Sequence, residues 1–343
     1  MSDVFITGIG TVSPLGTGTG TFFENCFRGK SGIREIERFD PGELQCKVAG
    51  TVLDFEPNNW IDQNERKHLS RSVAFLYCAV EEALKRAGLE NFSVPEQTGV
   101  VLGSGGGPVD FTEDQYEWFF TGEGDPSVYN VPSSTIGNLA SELSIQINAR
   151  GPSHLVSTGC TSSSDAFGHA LMTLRNERAS CVICGGVDTP ITPGVIKGFE
   201  KMRVVASQSN GTPEKASRPF HPDRNGFVPG EGCWLTVLET KDHLERRNGP
   251  DPLARLAGYG STCDAHHRVR MKEDGEDGRR AINNALEDAD VRPREIDYVN
   301  AHGTGTELND RVESTILNSC FDNVPPTSST KSMIGHPQGA SGS

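Results

Sequence analysis

Residues 154–174 read HLVSTGCTSSSDAFGHALMTL, and the order of residue types in this stretch points to one fold class. An apolar extended run stops at Ser-Thr-Gly, and a helical pattern begins at once. Strand, sharp turn and helix in that order are the unit from which α/β proteins with buried sheets are built. The turn carries Cys160, with its sulfur at the start of a helix. The unpaired N–H groups and positive dipole end there favour thiolate over thiol. Thiolate is the nucleophilic form. A cysteine is otherwise a small buried hydrophobe, so the rest of the chain has to choose between the two readings.

Outward from this stretch the same alternation continues. VFITGIG, TGVVLGSG, SCVICGGV, CWLTVLE and IDYVNAHG are short apolar runs that read, with HLVS, as buried strands. Leu69, Val73, Leu76, Tyr77, Val80 and Leu84 follow the helical period, and Gly88 is placed to end that helix. Ala281, Ile282, Ala285, Leu286 and Ala289 form a second helical stripe. The expected class is α/β. The polar, Gly/Pro-punctuated stretch at Asn248 to Pro252 marks the boundary between an N-terminal half, residues 1–249, and a C-terminal half, residues 250–343. Gly8 and Gly10, and Gly103 to Gly107, complete no dinucleotide or P-loop signature; they read as tight turns.

With 343 residues the chain can bury a large core. Its 32 basic against 46 acidic residues give a net charge of −14, which argues against a nucleic-acid or anionic-membrane surface. No leader or bilayer-length apolar run is visible, so the expected location is cytoplasmic. The nine cysteines are irregularly spaced and read as free thiols. Cys181 and Cys184 read as part of a buried strand, and no metal site is expected.

Two further segments set polar groups on glycine-rich turns. His302 directly follows the strand-like IDYVNA, and Lys331 precedes His336 by five residues in KSMIGH. A histidine between a strand end and Gly-Thr-Gly-Thr projects from the terminus where α/β sites are built. A cysteine with two histidines suits a hydrolase, in which one histidine is the base. It equally suits carbon–carbon bond formation, in which two neutral histidines stabilise an enolate oxygen. Asp310 and Glu313 follow His302 at a spacing that shares one helical turn.

The motifs together resemble those of the β-ketoacyl-(acyl carrier protein) synthase family of thiolase-like condensing enzymes. They are TGIGTVSPLG, STGCTS around Cys160, ASRPFHPDRNGFVPGEG, NAHGTGT and KSMIGH, in the family's order from the first residues to the last. The resemblance implies two related βα halves in a layered αβαβα arrangement. It implies Cys160 as acyl-accepting nucleophile and His302 and His336 as enolate stabilisers. It also implies Lys331 as their organiser through Glu313, with Asp310 adjacent. Thr304 and Thr306 match hydroxyls that contact a phosphopantetheine arm, so substrates arrive on acyl carrier protein and no bound cofactor is expected. Arg66, Lys67, Arg71, Lys201 and Arg203 match places where relatives meet the carrier.

VSTGCTS, DTPITP, RNGFV, Asn309-Asp310 and CDAHH look more like the ketosynthase-α subunit of type II, aromatic-type polyketide synthases. A homodimer, or a heterodimer with a chain-length-factor homologue, is the implied assembly. Fatty-acid elongation is the alternative, and a non-catalytic dimer partner a further one. The chain departs from the pattern at Pro337-Gln338, where relatives usually carry an apolar residue in the second position. It also stops at Ser343, where relatives continue, so the C-terminal half is expected to be incomplete and residues 1–343 alone to be aggregation-prone or partner-dependent and inactive in condensation.

Overall fold

The computed structural model describes residues 3–90, 95–206 and 212–343. Eleven strands are assigned in chain order among them. The first six are β1 (Val4–Ser13), β2 (Gly16–Thr17), β3 (Ile33–Glu35), β4 (Val48–Gly50), β5 (Thr98–Gly103) and β6 (Ser153–Val156). The others are β7 (Cys181–Asp188), β8 (Gly232–Thr240), β9 (Ala254–Arg255), β10 (Val299–Asn300) and β11 (Thr327–Ser328). Helices α1 (Thr19–Phe27), α2 (Arg71–Ala87), α3 (Val109–Thr121), α4 (Asn130–Ser134), α5 (Asn138–Ile147) and α6 (Ser162–Arg175) lie in the first part of the chain. Helices α7 (Pro193–Met202), α8 (Lys241–Arg246), α9 (Glu276–Ala289), α10 (Glu307–Cys320) and α11 (Lys331–Ile334) follow.

The main sheet runs β2-β1-β8-β7-β5-β6, with β9 also on β1. The β5–β6 and β5–β7 pairs are parallel; β7–β8 and β1–β8 are antiparallel. Helix α2 covers one face, where Val73, Phe75, Leu76 and Val80 pack with Val100, Leu102, Ile183 and Leu235. Helix α6 covers the other, where Ala166, Ala170, Leu171 and Leu174 pack with Val101, Val182 and Cys184. Each valine, leucine, isoleucine or phenylalanine among them stabilises by about 1.5–3 kcal/mol when fully buried. The N-terminal half is therefore a helix–sheet–helix sandwich. In the C-terminal half β10 and β11 form a two-stranded parallel sheet, with α9 and α10 packed together. The Ala281–Ala289 stripe of α9 is only half-buried.

Ser70 caps α2 by accepting from Val73 N, and Gly88 ends it in the left-handed conformation, φ 66° and ψ 37°, as its position predicts. Three expectations need correction. IDYVNAHG is no buried strand: only Val299–Asn300 pair, as β10, with Val299 half-buried and Tyr298 and Asn300 exposed. Gly8 and Gly10 lie inside β1, not in turns. A Cβ on them would stand 2.1 and 1.9 Å from the carbonyl oxygens of Ala83 and Ala79, so glycine lets α2 lie directly on the strand. HLVS is no buried strand: β6 is the last strand of the sheet, paired only with β5, and Ser153 and His154 are exposed. Cys181 and Cys184 are fully buried in β7, as read. Among the described residues no helix is long and apolar enough to cross a membrane.

Candidate active site

Strand β6 ends at Val156, and Gly159 takes φ 69° to turn the chain into α6. This sets Cys160 in the short 3-10 turn directly ahead of α6. Ser341 Oγ donates to the Cys160 carbonyl at 3.1 Å and fixes the turn from the far end of the chain. The thiolate expectation is corrected here. Burial pushes the Cys160 thiol up to about 11, and Lys331, which works the other way, does not offset it. The helix terminus supplies partial charge, but the cost of desolvating a full charge is larger. Cys160 is half-buried, in contrast to exposed Cys263. Cys263 stands in the loop of CDAHH, whose His266 and His267 are exposed too.

His336 is brought to the sulfur by backbone pairing. Its N–H donates to Val228 O at 2.7 Å, and its carbonyl accepts from Gly230 N at 3.0 Å. The ring stands edge-on to Phe227, with centroids 5.1 Å apart, and its Nε2 lies 3.1 Å from Cys160 Sγ. His302 meets His336 edge-on at 5.4 Å. Among the described residues Nδ1 of His336 is buried without a hydrogen-bond partner. A proton on Nε2 leaves only a lone pair there, whereas a proton on Nδ1 would orphan a buried N–H. Burial, then Lys331, lowers His302 to about 3. Burial, then the neighbouring His302 and Lys331, holds His336 well below its ordinary value. Both rings are neutral at pH 7.

The loop bearing His302 is held by carboxylates. Glu313 accepts from the backbone N–H groups of His302 and Gly303 at 2.6 and 2.7 Å. It thus orients the loop by its main chain, and the charge of Lys331 acts on Glu313 as well as on His302. Asp310 accepts from Gly305 N and Phe220 N, and Arg224 Nε approaches it to 3.5 Å. Thr304 Oγ1 and Thr306 Oγ1 hydrogen-bond to one another at 2.9 Å, with Thr304 buried and Thr306 half-buried. Lys331 is 4 % exposed, and burial lowers it to about 8, with Glu313 the main opposing influence.

Cys160 Sγ and one nitrogen of each histidine lie within 4.8 Å of one another. That is a soft-metal donor set, but the Lys331 cation beside it opposes a divalent ion. Three contributors escaped sequence reading: Phe227 against His336, Arg224 at Asp310, and fully buried Asp188. Asp188 accepts from Ser104 Oγ and the N–H groups of Gly105 and Gly106. DTPITP and RNGFV contain them, but nothing in those motifs names the partner.

The docking set divides. Lys67, Lys201 and Arg203 are exposed. Arg66 is half-buried and donates to Leu69 O at 3.1 Å. Arg71 is no docking residue: it is mostly buried, ion-paired at 3.1 Å with fully buried Glu231, and stacked on Phe75 at 4.6 Å.

The two histidines make stability depend on pH. An unfolded histidine takes a proton near 6.5, whereas His302 in the fold holds out to about 3. Between these values the unfolded chain binds more protons, so stability falls as pH drops. Asp188, raised by burial to about 6, acts in the opposite sense between 6 and 3.8. Comparison with a His302→Gln/His336→Gln double variant isolates the histidines. The urea midpoint should fall less in this variant than in the parent between pH 7 and 4.5. Equal falls would refute the assignment.

Residues 1–243 match the family "Beta-ketoacyl synthase, N-terminal domain", and residues 253–343 match "Beta-ketoacyl synthase, C-terminal domain". The chain is 36 % identical to 3-oxoacyl-(acyl-carrier-protein) synthase 2 of Synechocystis sp., over 99 % of this chain and 82 % of that protein. It is 37 % identical to a Streptomyces halstedii protein designated by name as a polyketide beta-ketoacyl synthase 1, over 99 % and 83 %. Among solved structures it is similar to a type II polyketide-synthase acyl carrier protein in complex with its ketosynthase bound to the hexaketide. The TM-score is 0.88 at 27 % identity, over 99 % of this chain and 83 % of that one. A beta-ketoacyl synthase from Burkholderia phymatum gives a TM-score of 0.90 at 28 % identity, over 100 % and 84 %.

Proposed function

The chain belongs to the β-ketoacyl synthase family, and on that premise we propose how its residues divide the decarboxylative condensation. The observation that carries the reading is the meeting of Cys160, His302 and His336 from three distant segments. Cys160 attacks the thioester of an acyl or polyketide chain. Its sulfur bonds to the acyl carbon, the phosphopantetheine sulfur leaves, and the thiol proton departs with it. The N–H of Cys160 at the head of α6 receives the acyl oxygen. A malonyl thioester then loses CO₂, and the oxygen of the resulting enolate is held by Nε2–H of His302 and of His336. Neutral rings are what this requires, since each must donate without having taken up a charge. The enolate carbon attacks the acyl carbon, and the Cys160 sulfur leaves as a thiolate that takes up one proton from solvent, which restores the thiol. Lys331 supplies positive charge nearby, and Glu313 and Asp310 hold the His302 loop.

The substrates ride on the phosphopantetheine arm of acyl carrier protein, with Thr304 and Thr306 as contacts to the arm. Polyketide extension is the preferred setting, supported by the likeness to type II ketosynthases solved with their carrier protein and with chain-length factors. Fatty-acid elongation is the second reading, supported by the 3-oxoacyl synthase 2 relatives. A partner of the same fold, a second copy or a chain-length-factor homologue, suits the open edge of β6. It also suits exposed Phe119, Phe120, Val128 and Val131 on and around α3 and α4. The test is acyl-Cys160 by intact mass, with CO₂ release from malonyl carrier protein. Absence of both would sink the reading.

Docking of an acidic carrier on a chain of net charge −14 requires local basic groups. Charge reversal at Lys67, Lys201 and Arg203 should raise KM for carrier-bound substrate on the order of tenfold at low salt and leave a small thioester unaffected. Arg71→Ala should instead lower activity on both substrates together. It breaks one of the two ion pairs of buried Glu231, which keeps Arg38 at 3.1 Å and the Val52 N–H, so the loss should stay below the roughly 3–5 kcal/mol of a fully uncompensated buried charge. Equal effects of both sets on both substrates would refute the division.

A further inference from the structure

One polar side chain meets the Cys160 sulfur that the chemistry above leaves without a task. Gln338 follows His336 across Pro337, and its backbone takes φ 47°, a left-handed conformation that side-chain-bearing residues seldom adopt. The neighbouring Gly339 is fixed: its N–H is held by Asp188, and a Cβ on it would stand 2.2 Å from Gly105 N. The segment therefore cannot draw back. Its amide points to the nucleophile, with Oε1 4.0 Å from Cys160 Sγ and Nε2 3.4 Å from His336 O. Acylation removes the thiol proton that faces Oε1, and turning the amide over then exchanges only the long Nε2–His336 O bond of 3.4 Å for a donor facing the chain.

Any acyl chain on Cys160 begins beside this amide. A saturated chain strips water from it and returns no hydrogen bond. A chain with a carbonyl at the β-carbon offers an acceptor only a few bonds from the sulfur, within reach of Nε2–H. The thioester oxygen itself is taken by the Cys160 N–H. A site that hydrogen-bonds a substrate oxygen disfavours the analogue without it, because its polar group is then left unpaired.

We infer that Gln338 is a specificity-determining residue that reads an oxygen at the β-position of the Cys160-bound chain and favours β-oxo over saturated acyl groups. The inference rests on the acyl-transfer reading above and names its substrate class. The test is competition between the acetoacetyl and butyryl thioesters of N-acetylcysteamine, with acyl-Cys160 followed by intact mass. The parent chain should load acetoacetyl faster by on the order of tenfold, the value of one net hydrogen bond. Gln338→Met keeps the length without the amide and should bring the ratio close to one. Gln338→Asn accepts the left-handed backbone but is too short to reach, and should do the same. The summed loading rate reports folding, and the ratio reports the amide. A parent without preference, or a preference unchanged in both variants, overturns the inference alone. No labelling of Cys160 by either thioester in the parent overturns the acyl-transfer reading, and the inference with it.

Discussion

Cys160→Ala should abolish acyl loading and lower condensation by more than about 10³-fold, while CO₂ release from malonyl carrier protein continues. The acyl chain then has no sulfur to ride on, and covalent catalysis through a thioester is lost outright. The enolate donors are untouched, since His302 and His336 are placed by Glu313 and by the backbone of Val228 and Gly230, not by the thiol. Intact mass and trapped CO₂ read the two half-reactions separately. Persisting condensation in this variant would remove Cys160 from the mechanism. In the parent, the buried thiol at about 11 means that alkylation of Cys160 accelerates steadily above neutral pH.

Alanine at His302 or His336 should each cost on the order of 10²–10³ in decarboxylation, the usual loss for one preorganised oxyanion donor. The two differ in the other half-reaction. His336 Nε2 stands 3.1 Å from the sulfur, so His336→Ala should slow acyl loading as well. His302→Ala should leave loading close to normal. Single-turnover loading with a small thioester makes the comparison. Decarboxylation surviving both substitutions would refute the enolate role. Loading equally impaired by both would mean that the rings act as one unit on the nucleophile.

Much of this was legible in residue order. The helical stripe from Leu69 to Leu84 and its Gly88 stop are local signals, and α2 forms where they place it. The strand–turn–helix around Cys160 and the glycine turns at His302 and His336 are equally local, because turn chemistry and periodicity act over a few residues. Arg71 was misread for the opposite reason. Beside Arg66 and Lys67 it looks like one patch, but its charge is answered by Glu231, 160 positions later.

By itself the sequence determined the α/β class, the three segments that carry the chemistry and the residue types available to it. The tertiary structure alone decided the protonation state of the site and which polar groups share it. Cys160 is a thiol because burial around it outweighs its helix end, and both histidines are neutral because burial strips their water, with the Lys331 charge adding to it. Gln338 faces the sulfur because Asp188 and the Gly105 backbone hold its neighbour Gly339 in place. Desolvation and long-range contact depend on what the folded chain brings within a few ångströms, and no window of sequence contains that information.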